Sequence, residues 1–222
     1  MKLRSAAAII LIVIIIDQAL KIWIKTTFPF GQIMDMAGQK WAQLYFIENE
    51  GMAWGWKFGG EWGKMLLTLF RLAAVIFGTW YLARVVKQNY SRGFIICASL
   101  IYAGALGNLI DSMFYGMIFS ESDYNTVATM FPEKGYAGFL HGHVVDMLYF
   151  PMIESTYPSW MPFVGGKDFT FFSPIFNVAD AAISVGVITL LLFQKRFLHR
   201  HEEEQHPTVE TNTEVSDRAH TM

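Results

Sequence analysis

Apolar residues dominate this chain in four long runs, and the polar positions inside those runs are few enough to name. The runs cover approximately 5–24, 65–83, 94–110 and 174–193. Each approaches the roughly 20 residues that a bilayer-crossing helix requires. The pattern therefore predicts an α-helical integral membrane protein with four transmembrane helices. Ser173-Pro174 suits the start of the fourth helix, with Ser as N-cap and Pro at the first helical position. A short turn joins the second and third runs around 84–92, whereas the connections 25–64 and 112–173 are long. Within the first long connection, residues 42–47 alternate and suggest a strand at the interface. Segment 151–173 carries three Pro and the adjacent Gly165 and Gly166, and reads as an irregular connection.

Charge orients this bundle. Lys2 and Arg4 precede the first run, Arg84, Lys87 and Arg92 separate the second from the third, and Lys195, Arg196 and Arg200 follow the fourth. With four crossings these groups fall on one side, which the positive-inside rule makes cytoplasmic. Both termini are then inside, and both long connections form a small β-like and loop region at the outer interface. Trp23, Phe28, Phe30 and Trp62 lie near the outer helix ends, as an aromatic belt would. The first run is expected to be retained rather than cleaved, because Asp17-Gln18-Ala19-Leu20-Lys21 stands where a small-residue cleavage site would be needed. Residues 1–198 are expected to form one membrane domain, and the polar tail 199–222 to be disordered.

Composition agrees with a membrane protein. Of 222 residues, 53% are hydrophobic and 16% charged, against about 25% charged in ordinary soluble chains. The net charge of -2, without a basic stripe, speaks against a nucleic-acid partner. Cys97 is the one cysteine, so no intramolecular disulfide is available. His141-Gly142-His143 offers two histidines without an obvious third ligand, so no metal or other cofactor is expected. His201-Glu202 begins like a zinc-protease motif, but Gln205 occupies the second histidine's place. No Gly-x-Ser-x-Gly elbow occurs.

Topology turns sequence position into depth. At 1.5 Å per residue, Asp17 lies about 18 Å into the first helix, beyond the midplane, and Asp180 about 9 Å from the outer end of the fourth. Asp111 ends the third, outward-running helix. Asp146 sits in the outer connection within Val144-Val145-Asp146-Met147-Leu148. Four carboxylates thus share one outer layer. Asp17 and Lys21, at i and i+4, suit an intrahelical ion pair, and Asp111 suits a helix anchor. Asn177 and Ser184 flank Asp180 at i−3 and i+4. Costly carboxylates brought together near lipid suggest a pair that shares a proton, with Asp146 and Asp180 the candidates.

Five short motifs then carry a family resemblance. They are Asp17-Gln-Ala-Leu-Lys21, Asn49-Glu-Gly51-Met-Ala53-Trp54-Gly55, Gly104-Ala-Leu-Gly107-Asn108-Leu-Ile-Asp111, Val144-Val145-Asp146, and Phe176-Asn177-Val178-Ala179-Asp180. In this order the chain resembles the lipoprotein signal peptidases (signal peptidase II), bacterial membrane aspartic endopeptidases, over most of 9–190. It departs in having Ser112 after Asp111, where the family usually has Arg, and in longer stretches before Val144 and Asn177. The resemblance implies Asp146 and Asp180 as the catalytic pair. Asp17, Lys21, Asn49, Gly51, Asn108, Asp111 and Asn177 would support the site or position substrate. It also implies a diacylglyceryl-modified prolipoprotein as substrate and cleavage on the amino-terminal side of the lipidated cysteine. The location would be the bacterial inner membrane, among phospholipids, with the site outward; no oligomer is implied. The alternative is a small proton-coupled transporter or channel, which would spread its acids through the membrane's depth instead.

Overall fold

The computed structural model describes residues 1–49, 60–151, 153–171 and 174–205. Four helices among them are long and apolar enough to cross a membrane. They are α1 (Leu3–Lys25), α2 (Gly60–Lys87), α3 (Arg92–Ile110) and α5 (Val178–Gln205). Leu11, Ile15, Leu66, Phe70, Phe77, Ile188 and Leu192 stand exposed along their outer faces. Such rows are unfavourable in water and suited to lipid.

Helix α3 forms the centre, packing against α1, α2 and α5. Small residues allow this close approach. A Cβ on Gly104 would overlap the Ala179 carbonyl oxygen of α5, and one on Gly107 would come within 2.9 Å of the Asp17 carboxylate of α1. Helix α3 continues beyond Ile110 through a wide π turn, Asp111–Tyr115, into one closing turn, α4 (Gly116–Ile118). The third crossing is therefore longer than the expected 94–110, running over Arg92–Ile118. The π turn widens the backbone where Asp111, Ser112 and Tyr115 all point into the protein.

At one end of the bundle lies a four-stranded sheet. Strands β1 (Ile33–Met36) and β2 (Gln39–Asn49) form an antiparallel hairpin, turned through Ala37 and Gly38 with φ of 50° and 73°. Positive φ at both central residues matches the twist of the paired strands. Strand β2 includes the expected 42–47 and pairs antiparallel with β3 (Val144–Tyr149), setting Ile47 opposite Asp146. Strand β6 (Ile175–Phe176) adds to the other edge of β3. Phe46, Val145 and Met147 from the sheet pack on Ile24, Phe28, Tyr115 and Phe119 in one buried core. Phe28 is thus a core residue rather than part of an aromatic belt, while Trp23 and Trp62 are exposed.

Two expectations give way here. Segment 151–173 holds an antiparallel pair, β4 (Ile153–Thr156) with β5 (Asp168–Phe171), its Pro158, Pro162, Gly165 and Gly166 gathered in the tip. The fourth helix begins at Val178, not at Pro174, because Ile175–Phe176 are drawn into the sheet; Ser173 lies outside the described residues. The helix then runs to Gln205.

The contact at Gly104 is testable. Gly104→Val should destabilise the protein by about 1–3 kcal/mol through overpacking, read as a lower unfolding midpoint in detergent. An unchanged midpoint would show that α3 and α5 do not meet there.

Candidate active site

One turn of α1 brings Asp17, Gln18 and Lys21 against α3. Lys21 is fully buried, and its ammonium contacts Asp17 Oδ2 at 2.9 Å, Asp111 Oδ2 at 2.8 Å and Asn108 Oδ1 at 2.8 Å. Three acceptors match its three donors. Gln18 completes the set: Nε2 donates to Asp111 Oδ1 at 2.8 Å, and Oε1 accepts from Tyr115 OH at 3.1 Å. The expected Asp17–Lys21 pair is present, and Asp111 shares the same cation.

The start of α5 is held by side chains rather than by a preceding turn. Asn177 is the N-cap, its Oδ1 accepting from the Asp180 backbone N–H at 2.9 Å. Asp17 Oδ1 accepts from Ala179 N–H at 2.9 Å across the helix interface. Two amides that open a helix without intrahelical partners are thereby satisfied. Asp180 falls in the first turn, where the helix dipole favours a carboxylate, and its Oδ1 accepts from Asn108 Nδ2 at 2.7 Å.

Asp146 reaches the same place from β3. Its Oδ1 accepts from Asn177 Nδ2 at 2.7 Å and its Oδ2 from Asn49 Nδ2 at 3.4 Å. Asn177 therefore serves both aspartates, donating to Asp146 and accepting from Asp180, and also donates to Asn108 Oδ1 at 3.2 Å. Asp146 is buried while Asp180 is half-buried. Burial, and next the charge of Asp180, push the Asp146 carboxyl up to about 7, against the opposing pull of Lys21 and the two asparagines. Such a pair can hold one proton and one negative charge near neutrality.

The structure joins Asp17, Lys21, Asn49, Asn108, Asp111, Asp146, Asn177 and Asp180 in one hydrogen-bonded cluster. Gly51 and the rest of its motif after Asn49, residues 50–55, lie outside the described residues. The two histidines diverge: His141 Nδ1 meets the Phe139 carbonyl at 2.9 Å and His143 Nδ1 meets Glu48 Oε2 at 3.3 Å. Gly142 between them fits against the Asp111 carbonyl, where a Cβ would overlap it. Glu48 also binds Lys25 and Ser122. Burial alone would raise the Glu48 carboxyl, but His143, Lys25 and Ser122 together hold it below its usual range.

Sequence reasoning missed Arg71. From α2, its Nη1 donates to Ser112 Oγ at 3.0 Å, at the position where the chain departs from the family pattern. The guanidinium feels the charges of Asp180, Asp111 and Asp146. The signal was available: Arg71 is the lone charged residue of stretch 65–83, and an ion inside an apolar run is costly without partners. Gln18, half-buried, and Tyr115, buried, were missed as well, since nothing local marks either as part of the cluster.

Comparison with known proteins converges on one family. A family model described as signal peptidase (SPase) II matches residues 9–196. A protein of Porphyromonas gingivalis named lipoprotein signal peptidase is 47% identical over 195 residues, covering 87% of this chain and 84% of that protein. Another of that name, from Amoebophilus asiaticus, is 32% identical over 217 residues, covering 96% and 87%. A solved bacterial membrane enzyme shares the fold at TM-score 0.56 with 21% identity, covering 96% of each chain.

Lys21 allows a direct test of the cluster. Lys21→Met leaves Asp17 and Asp111 buried without their cation and should cost about 3–5 kcal/mol, measured by denaturant titration in detergent micelles. Retention of full stability would mean that Lys21 is not their buried partner.

Proposed function

The chain belongs to the signal peptidase II family of membrane aspartic endopeptidases, and we propose that Asp146 and Asp180 form its catalytic pair. The observation that carries this reading is Asn177, which binds both residues while Asp180 helps hold the Asp146 carboxyl near 7. The substrate is a prolipoprotein whose signal peptide is removed. Cleavage falls on the amino-terminal side of the diacylglyceryl-modified cysteine.

The chemistry follows from sharing one proton. The ionised carboxylate takes a proton from a water molecule as its oxygen attacks the scissile carbonyl carbon. The protonated carboxyl meanwhile donates a hydrogen bond to the carbonyl oxygen, which gathers negative charge. In the resulting tetrahedral adduct the C–N bond breaks as a carboxyl proton passes to the leaving amine. Asn108 and Asn177 hold the pair in position, Asn49 steadies Oδ2 of Asp146, and Asp17, Lys21 and Asp111 anchor the helices around them. Gly51, by family resemblance, helps to support the site or position substrate.

The membrane frame suits that substrate. Basic residues at the helix ends away from the sheet support cytoplasmic termini. The sheet and the pair then face outward from a bacterial inner membrane, with the substrate's acyl chains left among phospholipids. Residues 1–198 act as the peptidase domain and 199–222 as its cytoplasmic tail.

Cleavage of a lipid-modified prolipoprotein by purified protein tests the reading. Asp146→Asn and Asp180→Asn should each reduce the rate by about 10²–10⁴-fold or more, and Asp17→Asn or Asp111→Asn less, provided all remain folded. Cleavage that survives either of the first two substitutions would refute the pair. The rate should also fall as pH rises through about 7, because Asp146 holds its proton below that value and the pair loses its acid above it. A rate flat or still rising well beyond that pH would contradict the proton-sharing mechanism.

A further inference from the structure

Arg71 is fastened rather than loose. Ser112 donates its single hydroxyl proton to the Asn108 carbonyl oxygen at 2.9 Å, which leaves its lone pairs to accept from Arg71 Nη1 at 3.0 Å. Ser112 is buried in the π turn that carries Asp111, so α2 is tied at this point to the helix that also supplies Asn108. The strongest charge acting on the guanidinium is that of Asp180, followed by Asp111 and Asp146. Lys21, a second buried cation nearby, already spends its three donors on Asp17, Asp111 and Asn108. Lys25 lies farther out, bound to Glu48 and Ser122.

We propose that Arg71 is a positioning residue for the catalytic pair: held by Ser112, its positive charge keeps one of Asp180 and Asp146 ionised over the working pH range. This deepens the aspartic-pair reading and rests on it. Among the described residues, the charged groups on the elements around the site include Asp180 on α5, Asp146 on β3, Glu48 on β2, Asp111 after α3, Asp17, Lys21 and Lys25 on α1, and Lys64 and Arg71 on α2. Two carboxyl groups side by side resist the loss of even the first proton when burial disfavours charge. A fixed cation opposes that resistance and so lowers the pH at which a carboxylate base becomes available.

The test is a pH–rate profile on a diacylglyceryl-modified prolipoprotein, with the full chain in detergent or lipid. Removing the charge in Arg71→Met should move both limbs of the profile to higher pH by about one unit, since each proton is then lost less readily. Arg71→Lys keeps the charge and should leave the limbs close to their native positions, even if the rate falls. Ser112→Ala keeps the arginine but frees it, and should move the limbs upward by less than Arg71→Met does. Limbs that stay in place in both Arg71→Met and Ser112→Ala, with only a uniform loss of rate, would overturn the proposal and leave Arg71 a packing role. Should Arg71→Met not fold, Ser112→Ala alone decides between these outcomes. Cleavage by Asp146→Asn or Asp180→Asn would instead remove the pair itself and this inference with it, a result visible without any Arg71 variant.

Discussion

A fully buried ammonium group holds this protein together where its chemistry is proposed to occur. Lys21 lies against Asp17, Asp111 and Asn108, each within 2.9 Å, and none of the charged members is exposed. Ions sealed from solvent are tolerable only when every donor and acceptor is engaged. That requirement restricts α1 and α3 to one relative placement, because a shift by a single residue would strand a charge. Gly107 permits it by leaving room for the Asp17 carboxylate.

From this anchor the remaining geometry follows outward. Asp17 also receives the Ala179 amide, so the position of α1 sets where α5 begins. Asn108 passes from Lys21 to Asp180, and Asn177 passes from Asp180 to Asp146. The sheet delivers Asp146 to this point because β3 is paired on both edges, by β2 and β6. The proposed pair is therefore assembled from a strand and a helix end, with asparagines between them. Neutral amides serve well here, since they orient a carboxylate without fixing its charge and leave it free to gain or lose a proton. Burial is unequal too, with Asp146 enclosed and Asp180 half-open.

Much of this was legible in the sequence, for physical reasons. Lipid demands long apolar runs, so four helices were readable from hydropathy alone, and alternation exposed strand β2. Asp17 and Lys21 at i and i+4 announced their pairing. The start of α5 was not legible: Ser173-Pro174 is a good local helix signal, but pairing of Ile175–Phe176 with β3 outweighs it and leaves Asn177 as the cap. The hairpin within 151–173 was hidden because Pro158, Pro162, Gly165 and Gly166, read as breakers of the whole segment, are confined to its tip. Arg71 was overlooked since it sits in a convincing apolar run, and only tertiary packing brings it to Ser112, next to Asp111. Phe28 passed for an interfacial aromatic because burial beneath a sheet leaves no local trace.

The central claim is that Asp146 and Asp180 act on one another. The most direct measurement is infrared titration of the protonated Asp146 carboxyl, identified as the band missing from Asp146→Asn, in the native chain and in Asp180→Asn. The account predicts that native Asp146 keeps its proton up to about pH 7. In Asp180→Asn it should lose the proton at clearly lower pH, because the neighbouring negative charge is gone. An Asp146 titration that is the same in both proteins would contradict the account, since two carboxyl groups that do not sense each other's charge cannot share a catalytic proton.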